Sequence, residues 1–141
     1  MWAMPKDDAP IVMGKQNPSE VLVMVMSEFK QLVEDVKREV REISPEALRQ
    51  MKANREAFSL VDVREPDDWQ QGTIPGAATI ARGVLELNID QVTTDKDHKI
   101  VLYCEGGSCS ALAVYMLQRM GFRNVFSLAG GYRGWKESEP R

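Results

Sequence analysis

The chain has 141 residues and a mass of 15.9 kDa, which suits one domain with an appendage and needs no disulfide staples. Apolar residues make up 43% and charged residues 28%, so a largely disordered or fibrous chain is excluded. Eighteen basic against 21 acidic side chains leave a net charge of −3, which argues against a broad nucleic-acid surface. The longest apolar run, residues 21–26, falls far short of the roughly 20 residues of a membrane span. Acid at Asp7 and Asp8 stands where a secretory signal carries base, and two cysteines cannot build a disulfide scaffold, so no membrane association and a cytoplasmic location are expected.

Residues 1–17, with proline and glycine among charges, read as a loosely ordered lead-in. A helix start follows, with Asn17 as cap, Pro18 at the first helical position and Glu20 where a capping-box acid reaches back. Leu22, Val25, Met26, Phe29, Leu32, Val33, Val36, Val40 and Ile43 then recur at steps of three and four. The spacing predicts one amphipathic helix of about 25 residues that ends at Ser44-Pro45. Its stripe is expected to pack on its own domain or a sister subunit, so a homodimer through this helix is one expectation. Residues 1–43 are therefore read as lead-in and helix, and 44–141 as the main domain.

From Ser44 the pattern alternates between short apolar runs and helices. A short helix runs from Ser44-Pro45 to about Ala53. Strands are expected at 58–63, 78–80, 99–104 and 124–128, and helices at 82–89, at 110–120 with Gly121 as its stop, and after Gly130-Gly131 around Trp135. The near-continuous apolar run at 99–104 suits a sheet covered on both faces, and this order implies a mostly parallel sheet with right-handed crossovers. Met24, Met26, Met116 and Met120 read as core.

In open parallel sheets, reactive groups collect past the carboxyl ends of strands. Here the buried run delivers Cys104, then Glu105-Gly106-Gly107-Ser108-Cys109 forms a loop, and Ser110 opens a helix. Two glycines let successive N–H groups turn toward one spot, and the free amides of a helix's first turn add positive potential there. A cysteine sulfur at that spot is favoured as thiolate, its nucleophilic form. The alternative is a buried cysteine that merely ends a core strand.

Asp62-Val63-Arg64-Glu65, Gly72-Thr73-Ile74-Pro75-Gly76-Ala77, Tyr103-Cys104-Glu105-Gly106-Gly107-Ser108-Cys109-Ser110, and Gly121-Phe122-Arg123-Asn124-Val125 through Gly130-Gly131-Tyr132-Arg133-Gly134-Trp135 closely resemble a rhodanese domain. The resemblance runs from about residue 44 to 135. It implies an α/β fold, with a mostly parallel five-stranded sheet flanked by helices on both faces, to which the N-terminal amphipathic helix is extra. It also implies a sulfurtransferase, whose loop cysteine takes a sulfane sulfur from a donor such as thiosulfate or a persulfide and passes it to a thiol or cyanide. The sulfur-bearing residue would be Cys104, and the substrate cradle the backbone of Glu105, Gly106, Gly107, Ser108, Cys109 and Ser110. No metal and no organic cofactor are expected, since two sulfurs and the distant His98 do not make four ligands.

The departures from the pattern carry information too. Many single-domain members have arginine five places after the cysteine, where this chain has Cys109, and the loop begins with Glu105. Both changes should weaken binding of a doubly charged donor. Phosphatase relatives have a loop one residue longer that ends in arginine, and that position here is Ser110. Cys109 is either a small filler or a resolving thiol that attacks a Cys104 persulfide. Asp62 and Arg64 read as supporting residues, a buried hydrogen-bond hub and half of an ion pair. Arg82 and Arg133 are candidate cations at the rim, and His98 is read as an exposed loop residue. Two alternatives to the enzyme stay open, a non-catalytic interaction module and a Cys104/Cys109 redox sensor.

Overall fold

The structure is a computed structural model that describes residues 17–140; the expected lead-in lies outside the described residues except for Asn17. The chain divides into two compact units at the Leu32–Val33 step. A helix, α1 (Pro18–Lys37), begins in the first unit and ends in the second. Asn17 Oδ1 accepts the Glu20 N–H at 2.8 Å and the Ser19 hydroxyl at 2.7 Å, so the expected cap is in place. In the first unit Leu22, Val25, Met26, Phe29 and Leu32 are exposed.

The second unit is built on five strands: β1 (Arg41–Ile43), β2 (Ser59–Asp62), β3 (Ala78–Thr79), β4 (Ile100–Tyr103) and β5 (Val125–Leu128). They form a single sheet in the order β1-β5-β4-β2-β3, and every neighbouring pair is parallel. Helices α2 (Pro45–Ala53), α3 (Pro66–Gln70), α4 (Leu85–Asn88), α5 (Ser108–Arg119) and α6 (Gly131–Glu137) connect and follow the strands. The expected helix at 82–89 is broken into α4 between two short 3₁₀ turns, Arg82–Val84 and Ile89–Gln91.

Side chains alternate along β4 with the strand period of two, and this sorts the core into two clusters. Ile100, Leu102 and Cys104 join Val61, Val63, Leu85, Ala113, Val114 and Leu117. Val101 and Tyr103 join Leu48, Met51, Leu60, Ile74, Leu128 and Trp135. All four residues of β4 are buried, as a strand with helices on both faces requires. The same alternation sends Cys104 to the face that α5 covers.

The N-terminal helix is shorter than its apolar spacing predicts. It stops at Lys37, where Arg38 and Glu39 donate to the Asp35 and Val36 carbonyls and tighten the last turn. Residues 41–43 are a strand, with Arg41 opposite Phe126 and Ile43 opposite Leu128. Arg41 further bonds the Arg123 carbonyl at 2.7 Å and covers the Phe126 ring. Helical spacing cannot register the open edge of β5, whose unpaired backbone groups draw this segment into the sheet. The methionine reading also fails. Met24, Met26, Met116 and Met120 are exposed; Met116 lies off the stripe of Ala111, Val114 and Leu117, and Met120 sits at the helix terminus.

These boundaries separate two truncations. Deleting residues 1–32 should keep a single cooperative thermal transition. Deleting 1–43 also removes β1 and the buried Val36 and Val40, and should lower the midpoint by about 10 °C or more.

Candidate active site

The carboxyl end of β4 hands the chain to Cys104, and a tight loop returns it to the first turn of α5. Gly107 caps that helix at φ +101°, a left-handed conformation that L side chains rarely adopt. With the backbone so turned, the Gly107 N–H meets Cys104 Sγ at 3.1 Å and the Ser110 N–H meets it at 3.3 Å. These belong to the amides that a helix start leaves without carbonyl partners. The Cys104 thiol donates to the Ser110 hydroxyl at 3.4 Å, and Ser110 Oγ contacts Ser127 Oγ at 2.8 Å.

A second helix start fixes the loop from behind. Tyr132 N–H donates to the Cys104 carbonyl at 2.8 Å, and Arg133 N–H to the Glu105 carbonyl at 3.1 Å. This approach is possible because residue 131 is glycine. A Cβ there would stand 2.5 Å from the Cys104 carbonyl oxygen and 2.6 Å from that of Glu105, on a backbone already at φ +60°. The α6 amides therefore take the loop carbonyls while amides of the α5 cap and first turn take the sulfur.

Arg64 ties the end of β2 to the same loop. Its guanidinium bonds both carboxylate oxygens of the fully buried Asp62, with Nη2 to Oδ2 at 2.8 Å, and also the Gly72 carbonyl at 2.7 Å. Burial opposes its charge, but the bonds and charge of Asp62 outweigh burial and hold Arg64 protonated more firmly than a free arginine. The planar face lies 4.2 Å from the Tyr132 ring centroid. Burial likewise pushes the neighbouring Tyr103 phenol well above its ordinary range, and its oxygen accepts the Ile74 N–H at 3.0 Å.

Arg64 Nη1 also reaches Glu105 Oε2 at 3.2 Å. The carboxylate expected to repel an anionic donor is thus paired with a buried guanidinium. Cys109 is an exposed residue in the first turn of α5. Partial loss of water pushes its thiol up, Cys104 adds to the rise, and Arg82 opposes it. Arg82 pairs with Glu86 at 2.6 Å, and an Arg133 Nη1 lies 4.0 Å from where a Cβ on Gly106 would be. Arg133 therefore flanks the loop at Gly106, and Arg82 is near enough for its charge to act on Cys109. His98 is not at the loop. It precedes β4, whose far end carries Cys104, and it is half-buried against the Ser59 hydroxyl at 2.8 Å rather than exposed.

Nothing local in the sequence singles out Ser127 or the contact made by Gly131. A lone hydroxyl within Val125-Phe126-Ser127-Leu128 and paired glycines before Tyr132 are visible there, but neither says which loop they meet.

Residues 44–138 match the family model of the rhodanese-like domain. The chain belongs to the rhodanese-like family. A protein named sulfurtransferase from Allochromatium vinosum is 34% identical over 96 residues, covering 68% of this chain and 88% of that protein. The putative sulfur carrier protein YrkF of Bacillus subtilis is 29% identical over the same share of this chain, which spans 51% of that relative. Among solved structures, the human single-domain sulfurtransferase TSTD1 superposes with a TM-score of 0.64 at 26% identity, covering 72% of this chain and 99% of that one. A protein of unknown function from Rhodopseudomonas palustris, described as a possible tyrosine phosphatase, has a TM-score of 0.69 at 30% identity and covers 78% and 89%. Among the described residues of this rhodanese-like chain, no helix is long and apolar enough to cross a membrane, and no group of three His, Cys, Asp or Glu could hold a metal ion.

Three substitutions test this framework. Gly131→Ala should cost about 3 kcal/mol in chemical denaturation, through positive φ and the carbonyl clash. Arg64→Met should cost about 3–5 kcal/mol, since it strands the buried Asp62 carboxylate. Glu105→Gln, at a half-exposed side chain, should change stability by about 1 kcal/mol or less.

Proposed function

We propose that this rhodanese-like domain moves a sulfane sulfur from a donor, thiosulfate or a persulfide, to a thiol or cyanide acceptor through a persulfide on Cys104. The observation that carries the reading is the convergence of the Gly107 and Ser110 amides on the Cys104 sulfur. Charge-assisted bonds of this kind favour the thiolate as nucleophile and again as leaving group. In the first step the thiolate attacks the outer sulfur of thiosulfate. The S–S bond breaks, its electron pair leaves with sulfite, and the sulfur stays on Cys104. In the second step an acceptor thiolate or cyanide attacks the outer sulfur and expels the Cys104 thiolate. Arg133 supplies positive potential that position 109 lacks, Arg82 adds to it to the extent that its pairing with Glu86 allows, and the pairing of Glu105 with Arg64 lowers the local repulsion.

Cys109 serves as a resolving thiol. Its attack on Cys104 Sγ expels hydrosulfide and leaves a disulfide, which a cellular thiol reductant reopens. This chemistry suits a reducing, cytoplasmic setting. A homodimer through the exposed apolar residues of α1 is part of the same proposal. Phosphate-ester chemistry would need a guanidinium where this chain has the buried Ser110.

Intact-protein mass spectrometry after incubation with thiosulfate or glutathione persulfide should show a gain of one sulfur atom, lost in Cys104→Ser. No gain would leave a binding module, and loss of two hydrogens without added sulfur would mark a redox sensor. Because the Cys109 thiol is raised, it is mostly protonated at neutral pH and gains thiolate only in more alkaline solution. The persulfide lifetime should therefore fall as pH rises, and Cys109→Ser should lengthen it, with the difference between the two proteins widest at alkaline pH.

A further inference from the structure

Ser127 lies on β5, outside the cysteine loop, and is fully buried. Its hydroxyl contacts Ser110 Oγ at 2.8 Å, an atom that is itself 3.4 Å from Cys104 Sγ and 3.3 Å from the Gly107 carbonyl, to which it donates. The buried groups thus form a line from β5 through the first turn of α5 to the sulfur. A serine hydroxyl has one hydrogen to give and room to accept. While Cys104 is a thiol, its S–H donates to Ser110, whose hydrogen is then free for the Gly107 carbonyl. Once the sulfur is an anion it has no hydrogen to give, and Ser110 must turn its own hydrogen toward it. Ser110 oxygen is then left to accept, and Ser127 is the buried hydroxyl beside it that can donate.

We propose that Ser127 is a positioning residue for the nucleophile. It donates to Ser110 in both states of Cys104, and only the bond between Ser110 and the sulfur reverses: the thiol donates to Ser110, whereas Ser110 donates to the thiolate and turns its hydrogen away from the Gly107 carbonyl. Donation from behind polarises the Ser110 hydroxyl and strengthens its bond to the sulfur anion. The effect belongs to the thiolate, whose charge sits on Sγ, rather than to the persulfide, whose charge sits one sulfur further out. The inference rests on Cys104 as the reactive thiol but not on which sulfur donor or acceptor it uses.

The test titrates Cys104 in full-length Cys109→Ser protein, which has no other cysteine, by ultraviolet thiolate absorbance and by iodoacetamide alkylation across pH. Ser127→Ala should slow alkylation about fivefold at neutral pH, leave the rate unchanged at high pH, and shift the absorbance midpoint to match. Ser127→Thr, which keeps the hydroxyl, should restore the parent profile. In a Ser110→Ala background, Ser127→Ala should have no further effect on the profile, because the line is already cut. Ser127→Gly, which also removes the hydroxyl, should reproduce the Ser127→Ala profile and takes its place in both comparisons if the alanine variant folds poorly. An unchanged profile in Ser127→Ala, or an undiminished effect in the Ser110→Ala background, overturns the proposal. If the parent thiolate is seen by absorbance but takes up no sulfur from any donor, the sulfurtransferase reading fails while the positioning role is still measured.

Discussion

A sulfur at the end of a buried strand can carry negative charge only if something replaces the water it has lost. Cys104 is 6% exposed and is part of an apolar cluster, so little water reaches its sulfur. The compensation comes from peptide groups held in one orientation. Gly107 and Ser110 present their amides to Sγ, while the carbonyls of Cys104 and Glu105, earlier in the same loop, are bonded to α6 and anchor it there. The glycine at 131 is what permits that hold.

The parallel sheet makes these contacts meet. Parallel strands leave all their carboxyl ends at one edge, so the loop after β4, the helix start after β5 and the turn after β2 arrive together. Arg64 draws on all three. It leaves β2 bonded to Asp62, reaches the loop through Glu105 and lies against Tyr132 of α6. A guanidinium suits this position because its planar fork offers several donors and a face that packs on an aromatic ring.

Charge around the loop is distributed differently from the family pattern described above. The arginine of many single-domain members is replaced by Cys109, and a carboxylate enters at Glu105. That carboxylate faces a guanidinium at 3.2 Å, which limits how far its field extends toward the sulfur. The remaining arginines, Arg82 and Arg133, sit on separate elements beside the loop rather than within it. Cys104 Sγ thus meets backbone amides and a buried hydroxyl, with no cation in its own loop.

Much of this was legible in the residues themselves. The apolar run at 100–103, the cysteine after it, two glycines and a helix start together place a thiol at a strand's carboxyl edge, because burial on both faces and helix-start chemistry are local properties. The cap at Asn17 was legible for the same reason, as were Asp62 as a hydrogen-bond hub and Arg64 as half of an ion pair; that they pair with each other is seen only in the structure. The strand at 41–43 was not, since its helical spacing is real and only the open edge of β5 overrides it. Nor were the links from Ser110 to Ser127, Glu105 to Arg64, and Gly131 to the Cys104 carbonyl. Those partners are 17, 41 and 27 residues apart, and periodicity reports which face a side chain takes, not which strand lies beside it. The sequence determined that a thiol would stand at a strand end; the strand order β5-β4-β2 decided which groups surround it.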